Sequence, residues 1–241
     1  MPGLSLSSFN THYGMVPSRR SPVHEYDMHA VIAQFDTDVV VVQELWRPDG
    51  RRGAVDDAAG ALGYEVHYQA TGRATTGTRW PHLVPDGDGE SGIAVLTRLP
   101  TRRVGELVLG PTLGDPAPRR TALDVEIEVG SVRLRLVAVH LTSRLPHGPP
   151  IQLRRLAGLV PAAGVPAVIA GDCNFWGPGV LGLLRGWHQT VRGRTWPARL
   201  PHSQIDHILI REGEGIEAAN GRVLSDVGSD HRPIRVDLRL D

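Results

Sequence analysis

Hydrophobic residues along this chain fall into short runs that are separated by glycine, proline and small polar residues. Residues 4–10 alternate small and apolar side chains, which predicts a strand. Residues 39–42 are all valine, the pattern of a strand that is buried on both faces. Gln43 and Glu44 follow directly, so we expect Glu44 at the C-terminal end of this strand.

Further runs of β-branched and aliphatic residues predict the other strands of the fold. They cover residues 64–69, 93–97, 104–109, 121–129, 132–140, 167–171, 205–211, 217–225 and 233–240. Gly130 and Ser131 separate two of these runs, which predicts a hairpin and therefore antiparallel pairing.

Three segments have the periodicity and end signals of helices. Ser21 and Pro22 offer a cap and a first-turn proline for a helix over residues 21–34. Residues 54–62 and 151–160 predict two more. Strands and helices mixed in this order favour two facing sheets with helices outside, an α/β sandwich.

Residues 72–89 form the longest irregular stretch, rich in Gly, Thr, Pro and Asp. Long loops of this kind often carry specificity, so we expect this one to contribute to substrate selection.

Length and composition indicate a globular protein with one large core. The chain has 241 residues, of which 41% are hydrophobic and 22% charged, and we expect one domain over residues 1–241. Cys173 is the only cysteine, which excludes an intramolecular disulfide. The N-terminal residues lack a leader pattern and no stretch is long enough to cross a bilayer, so we expect a cytoplasmic protein with no membrane partner.

Charge excludes a global electrostatic attraction to nucleic acid or anionic lipid. The formal net charge is zero, with 26 basic and 26 acidic residues. Every basic residue is arginine, and several stand in pairs: Arg51-Arg52, Arg102-Arg103, Arg119-Arg120 and Arg154-Arg155. Arginine suits phosphate oxygens, but a compositional bias explains the same pairs, and we favour the bias.

The chemically informative pattern is a polar residue at the end of each apolar run. These residues are Asn10, Glu44, His140, Asp172 with Asn174, Asp206, and Asp230 with His231. Hydrolysis of a phosphate ester needs oxygen ligands for a divalent cation, a base for water and donors for the phosphoryl oxygens. Each residue alone is typical of a turn; the set together predicts this chemistry.

Local sequence adds geometry to three of these positions. Asp172 and Asn174 lie on one face of an extended chain, with Cys173 pointing the other way. Glu44 is costly to bury without a cation or an arginine nearby. His231 directly follows a carboxylate and needs an orienting partner.

Five segments resemble the ordered motifs of the endonuclease/exonuclease/phosphatase superfamily. They are Ser8-Phe9-Asn10, Gln43-Glu44, Gly171-Asp172-Cys173-Asn174, Ile205-Asp206-His207-Ile208 and Ser229-Asp230-His231-Arg232-Pro233. The resemblance spans nearly the whole chain. It implies a four-layer α/β sandwich of the deoxyribonuclease I-like type, with two facing mixed β-sheets flanked by helices.

The resemblance also implies residue roles. Glu44 is then the principal ligand of Mg²⁺, or alternatively Mn²⁺, with Asn10 and Asp230 close to the metal or its waters. Asp172 orients or deprotonates the attacking water. The remaining roles fall to Asn174 and His140, which donate to phosphoryl oxygens, and to His231, which is held by Asp206 and either stabilises the transition state or shuttles a proton.

The substrate stays open at this point. The superfamily favours a phosphodiesterase with a nuclease-like reaction, and nucleic acid is a candidate partner; no protein partner is predicted. The alternatives are an inositol phosphate, a lipid headgroup or another small phosphorylated molecule, and, more remotely, a non-catalytic binding module. His140 makes a repair endonuclease less favoured, and Ile205-Asp206-His207 does the same for an inositol phosphatase.

Three residues beside the motifs are candidate substrate contacts. Trp46 follows Glu44, and Trp176 follows Asn174. Their rings could stack on a substrate ring or simply pack at the rim, and we weigh the two equally. His12 follows Asn10 and is the third candidate.

Overall fold

The computed structural model describes residues 1–17, 24–74, 87–115, 117, 119–161 and 164–241. The strands are β1 (Gly3–Asn10), β2 (Val39–Pro48), β3 (Glu65–Ala74), β4 (Gly89–Thr97), β5 (Thr101–Val108), β6 (Thr121–Val129), β7 (Val132–His140), β8 (Ala167–Asp172), β9 (Trp187–Gln189), β10 (Asp206–Arg211), β11 (Ile216–Val223) and β12 (Ile234–Leu240). The α-helices are α1 (Met28–Phe35), α2 (Ala54–Ala61), α3 (Gly148–Leu159) and α4 (Gly177–Leu183), and a 3-10 turn spans His12–Gly14.

The strands form two six-stranded mixed sheets. The first has the order β11-β12-β1-β2-β4-β3 and the second the order β5-β6-β7-β8-β10-β9. β1 pairs parallel with β2, and β7 pairs parallel with β8, while the other neighbours are antiparallel. Carboxyl ends of parallel strands meet at one edge, so each sheet brings two strand ends together there.

Apolar side chains hold the layers together. Between the sheets, one buried cluster joins Leu6 and Val41 of the first sheet to Leu136 of the second. Helices α1 and α2 pack on the outer face of the first sheet, and α3 and α4 on the outer face of the second. Burial of these faces favours the sandwich because apolar surface leaves water. The predicted four-layer α/β sandwich is confirmed.

The predicted strands agree closely with the structure where sequence alternation is regular. β6 and β7 have the predicted bounds, and Gly130, with a φ of 63°, makes the turn between them. α2 and α3 also lie where the pattern placed them. No helix among the described residues combines the length and apolar character that a bilayer-spanning segment needs.

Glu44 does not end its strand, which corrects the expectation from sequence. β2 continues to Pro48, and its register with β4 shifts between Val42 and Leu45. Glu44 lies in this irregularity with a φ of 51°. The Thr11 hydroxyl donates to the carbonyl oxygens of Gln43 (3.1 Å) and Glu44 (2.8 Å). A side chain from a neighbouring loop therefore stabilises the irregularity. No local sequence signal predicts this irregularity.

The start of α1 differs from the prediction. Residues 24–27 are not helical, and α1 begins at Met28, where the Asp27 carboxylate accepts a hydrogen bond from the Ala30 N–H (3.0 Å). Asp27 is thus the cap. Ser21 and Pro22 lie outside the described residues.

Two further boundaries differ from expectation. Residues 72–74 belong to β3 and Gly89 to β4, so the predicted loop is shorter at both ends, and its central residues 75–86 lie outside the described part of the chain.

Two elements of the structure, α4 and β9, were not predicted. The reason is that α4 contains three glycines and a proline, and β9 has only three residues.

Gly171 gives a stability prediction. A Cβ at this position would lie 1.9 Å from the Val139 carbonyl oxygen, and Gly171 has a φ of 142°. We expect Gly171→Ala to lower the free energy of unfolding by about 2 kcal/mol, measured by urea denaturation. Gly158, exposed in α3 with open space around it, is the matched control: Gly158→Ala should stabilise by about 0.5–1 kcal/mol. Equal effects at both sites would contradict the steric argument.

Candidate active site

The predicted site residues converge at one edge of the sandwich. Asn10 ends β1, His140 ends β7 and Asp172 ends β8. Asp206 begins β10, directly opposite Asp172 in the antiparallel ladder. The Asn10 Nδ2 donates to the Asp172 Oδ2 (3.1 Å), so the two sheets meet through these side chains.

Asp172 is the hub of the cluster. Its Oδ1 accepts a hydrogen bond from the Asn174 N–H (2.7 Å), and its Oδ2 also lies 3.3 Å from the Asn174 Nδ2. The imidazole nitrogens of His140 and His231 each lie 3.8 Å from the Asp172 Oδ2. Burial raises the pKa of Asp172 to about 7, although the charge of His231 opposes that change. A carboxylate in this range can take a proton from water near neutral pH.

Glu44 and Asp230 form an acidic pair. Burial, and then the negative charge of Asp230, raise the pKa of Glu44. Asp230 is held by the Ser229 hydroxyl and by the Trp196 indole N–H, each at 3.4 Å. A hard divalent cation would relieve the repulsion between the two carboxylates, and carboxylate and amide oxygens are its preferred ligands. The donor set of Glu44, Asp230 and Asn10 therefore fits such a cation.

Asn10 has a second task in this arrangement. Its Oδ1 accepts a hydrogen bond from the His12 backbone N–H (3.0 Å), which orients the amide so that Nδ2 faces Asp172. The Asn10 carbonyl oxygen accepts from the Ser229 hydroxyl (2.7 Å). These bonds fix the end of β1 against the segment that carries Asp230.

His140 lies between the carboxylates of Glu44 and Asp172. Its Nε2 is 3.6 Å from the Glu44 Oε1. Burial, with the positive charges of Arg120 and His231, holds the pKa of His140 well below its usual range. The ring is therefore neutral at physiological pH and can offer one N–H to an oxygen.

His231 forms a pair with Asp206. Its Nδ1 lies 2.9 Å from the Asp206 Oδ2, and both residues are buried. Burial disfavours the imidazolium, but the charges of Asp206 and Asp172 outweigh it and raise the pKa of His231 well above its usual range. Its Nε2 side points towards Asp172.

Asp172, Asp206 and His231 also offer ligand atoms within 4.8 Å of one another. In His231, however, Nδ1 is bonded to Asp206, and the raised pKa favours the imidazolium, which cannot coordinate a metal. His231 and Asp206 therefore form a hydrogen-bonded pair beside Asp172, and the acidic pair of Glu44 and Asp230 is the better fit for a cation.

The three candidate substrate contacts differ in accessibility. His12 lies beside the cluster, with a φ of 44° and its Nδ1 3.0 Å from the Met15 carbonyl oxygen. Trp176 is 55% exposed at the start of α4, whereas Trp46 is buried, with 6% exposed. His207, which lies within one of the five motifs, contacts the Phe175 carbonyl oxygen (3.0 Å) and Gln189 instead of the cluster.

Two residues at the site were not among the candidates chosen from sequence. Arg120 had been assigned to compositional bias, yet it is buried and donates to Asp115 (2.6 Å) and to the His140 carbonyl oxygen (3.2 Å). Tyr13 has a φ of 59°, and the charge of Glu44, with burial, raises its pKa. A basic residue directly before β6 was the available signal for Arg120; for Tyr13 the signal was an aromatic ring three residues after Asn10, beside the first motif.

Arg120 gives a second stability prediction. Its guanidinium and the carboxylate of Asp115 are almost fully buried, and Gln152 donates to the same carboxylate (3.1 Å). Lysine keeps the charge but cannot make the forked contacts. We expect Arg120→Lys to lower the free energy of unfolding by about 1–2 kcal/mol, measured by urea denaturation. Arg102→Lys, at an exposed pair with Glu128, should change it by less than about 0.5 kcal/mol. Similar losses at both positions would count against the buried network.

The fold and the cluster define the class of the protein: a deoxyribonuclease I-like α/β sandwich with acidic, amide and imidazole groups gathered at its strand ends. The chain belongs to the Endonuclease/Exonuclease/phosphatase family, whose sequence profile matches residues 7–231. Members of this superfamily are hydrolytic phosphoesterases and are generally metal-dependent. A search of curated protein sequences gave no match.

Solved structures with the same fold include several members of the family. An endonuclease/exonuclease/phosphatase from Beutenbergia cavernae DSM 12333 has a TM-score of 0.75 at 25% identity, over 100% of this chain and 72% of that one. The catalytic domain of human nocturnin, with bound sulfate, has a TM-score of 0.73 at 14% identity, over 100% and 95%. A mannosyl-6-phosphatase from Bacteroides thetaiotaomicron VPI-5482 has a TM-score of 0.71 at 16% identity, over 98% and 100%. The last two likenesses concern the fold alone.

Proposed function

We propose that this chain is a metal-dependent phosphodiesterase with a nuclease-like reaction. The observation that carries the proposal is the position of Asp172, which lies within 3.8 Å of His140 and His231 and is hydrogen-bonded to Asn10 from the opposite sheet. A base, two imidazoles and an acidic pair thus lie close together at one edge of the sandwich, and in-line attack on a phosphate needs a base, a cation site and hydrogen-bond donors within reach of one another.

Glu44, Asp230 and Asn10 would hold the cation, which we propose is Mg²⁺ or Mn²⁺. When bound, the cation would neutralise charge on the phosphate. Glu44 projects from the irregularity in β2, and its backbone there is held by Thr11. Because Glu44 is already fixed before substrate binds, the cation it holds would place the phosphate in its reacting position.

Asp172 would orient and deprotonate the attacking water. Asn10 fixes one of its oxygens and Asn174 the other, so the carboxylate cannot rotate freely. Its pKa of about 7 allows proton acceptance without making the ionised form rare.

His140, Asn174 and His231 would stabilise the phosphoryl oxygens. His140, as a neutral ring, donates one N–H. Asn174 already donates to the Leu141 carbonyl oxygen (2.9 Å) and more weakly to Asp172 (3.3 Å), and a phosphate oxygen would replace the weaker bond. His231, held by Asp206 and positively charged, offers its Nε2–H to the developing charge.

A test of the proposal compares a small diester with a monoester. With Mg²⁺ or Mn²⁺, we expect hydrolysis of bis(p-nitrophenyl) phosphate to exceed that of p-nitrophenyl phosphate, and EDTA to abolish it. A panel of single-stranded DNA, duplex DNA, RNA, inositol phosphates and sphingomyelin then separates the substrate classes. Preference for the monoester would favour a phosphomonoesterase. Absence of hydrolysis with either metal would favour a binding module on the same scaffold.

A further inference from the structure

A cavity of about 190 Å³ lies beside the cluster of proposed catalytic and metal-binding residues, on the side of the first sheet. It is bounded by the 3-10 turn, the segment before α1, the end of β2 and the start of α2. Its lining includes Thr11, Tyr13, Glu25, Tyr26, Trp46 and Arg51, and none of the proposed metal-binding or catalytic residues lines it.

The cavity nevertheless shares a wall with this cluster. Thr11, which lines it, donates to the Glu44 carbonyl oxygen (2.8 Å). The charge of Glu44 acts on Tyr13, and the charges of Asp230 and Glu44 act on Tyr26. A group attached to a phosphate at the cluster would therefore lie close to this cavity.

The turn that separates the two sites has an unusual backbone. His12, Tyr13 and Gly14 have φ values of 44°, 59° and 79°, so consecutive residues adopt the left-handed region. This conformation costs free energy for residues with a side chain. The Tyr26 hydroxyl supports the turn by donating to the Thr11 carbonyl oxygen (2.6 Å). The structure thus stabilises a strained segment that places Tyr13 in the cavity wall.

Three aromatic rings, those of Tyr13, Tyr26 and Trp46, line the cavity. Trp46 is held tightly, because a Cβ at Gly53 would lie 2.3 Å from its carbonyl oxygen and a Cβ at Gly89 would lie 2.5 Å from its ring. Rigid aromatic faces suit the C–H face of a ring at little entropic cost.

Two charged side chains at the cavity have no ion-pair partner within the described part of the chain. These are Glu25 and Arg51, both exposed. In contrast, Arg52 pairs with Asp57 (3.1 Å). A carboxylate accepts hydrogen bonds and a guanidinium donates them. Hydroxyl groups, which do both, are the ligand chemistry that matches this pair.

We propose that this cavity binds a hydroxylated sugar ring carried by the scissile phosphate, with the ring on the aromatic wall and its hydroxyl groups at Glu25 and Arg51. The proposal rests on the proposed function, because it takes the phosphate to be bound at the neighbouring cluster. A volume of about 190 Å³ is below the roughly 300–1,000 Å³ typical of pockets for drug-sized ligands. It therefore suits a single ring, which either a nucleotide or a hexose phosphate supplies.

The test uses p-nitrophenyl diesters that differ only in the second substituent. Uridine 5′-phosphate and mannose 6-phosphate provide sugar rings, and cyclohexylmethyl phosphate provides a ring without hydroxyl groups. We expect wild-type protein to show a kcat/KM about tenfold higher for one sugar ester than for the cyclohexylmethyl ester, and Glu25→Gln and Arg51→Gln each to remove most of this ratio. Glu217→Gln and Arg185→Gln, both exposed and not among the cavity-lining residues, should retain it.

The outcomes separate the two proposals. Preference for the uridine ester identifies a nucleotide source, and preference for the mannose ester identifies a hexose source. Equal rates for sugar and cyclohexylmethyl esters, or losses in the variants that are equal for all esters, would overturn the sugar site while leaving phosphodiester hydrolysis intact. If no ester is hydrolysed, calorimetric titration of wild type and Glu25→Gln with uridine 5′-monophosphate and mannose 6-phosphate in EDTA decides. Binding of either that is about tenfold weaker in the variant supports the site, and no binding of either overturns it.

Discussion

Glu44→Gln is expected to lower kcat/KM for bis(p-nitrophenyl) phosphate by about a thousandfold. In our proposal Glu44 supplies the principal charge that holds the cation, and a bound cation contributes several kcal/mol of transition-state stabilisation, at 1.36 kcal/mol for each tenfold. Glutamine has nearly the same shape, so the irregularity in β2 and the Thr11 hydrogen bonds to the backbone should persist. The measurement is a titration of turnover with Mg²⁺ for both proteins.

The same titration separates a lost ligand from a damaged fold. High Mg²⁺ should restore part of the variant's turnover, because a weaker site still fills at sufficient concentration. Removal of a partly buried negative charge should also stabilise the metal-free protein, since Asp230 repels Glu44. Glu217→Gln, on an exposed position of β11, is the control and should retain full activity. Near-native turnover of Glu44→Gln at limiting Mg²⁺ would rule out Glu44 as the principal ligand.

The sequence predicts the fold well where residue period and burial agree. β6 and β7 alternate regularly and are joined by glycine, and both bounds were predicted without error. β8 is apolar and lies in the middle of its sheet, so composition alone is sufficient to identify it. These elements depend mainly on local pattern, which a sequence contains.

Features that depend on distant contacts were not predictable. The place of Glu44 within β2 depends on Thr11, and the burial of Arg120 depends on Asp115 and Gln152. Neither contact has a local signal, because the partners come from separate segments. For the same reason the cavity beside Trp46 and Arg51 could not be predicted, although both residues had been noted individually.

Some contacts between site residues were predicted from local sequence, and others from the family resemblance. Asp172 and Asn174 were expected on one face of an extended chain, but β8 ends at Asp172 and Asn174 has a φ of 47°. The Asn174 amide nevertheless lies 3.3 Å from the Asp172 carboxylate. The link between Asp206 and His231, which lie 25 residues apart, came from the family resemblance, and the structure places them in hydrogen-bond contact. Antiparallel pairing of β10 with β8 explains this, because it brings Asp206 beside Asp172 at the edge where β12 begins.

Asp206→Asn is expected to lower kcat by about 10²–10³-fold, the range for loss of one group that stabilises charge in the transition state. The Asp206 carboxylate lies 2.9 Å from the His231 Nδ1 and is a principal source of the raised pKa of His231. Without that charge the pKa of His231 should fall, although Asp172 still raises it. The neutral ring would then present less positive charge to the phosphoryl oxygens, and its tautomer would no longer be fixed.

NMR titration of His231 in EDTA measures this shift directly, and its sign also governs stability. Because the folded pKa is raised, the pair contributes stability that is fully present below the ordinary histidine pKa and is lost as pH rises through the raised value. In Asp206→Asn that loss should begin at lower pH, and the decline of kcat with rising pH should shift in the same direction. Asp124→Asn is the matched control, since Asp124 is buried and bonded to Arg135 (2.9 Å) in the middle of β6. It should lower stability without moving the pKa of His231. An unchanged pKa of His231 in Asp206→Asn would show that Asp206 does not set its charge, and the raised pKa would then have to come from the charge of Asp172.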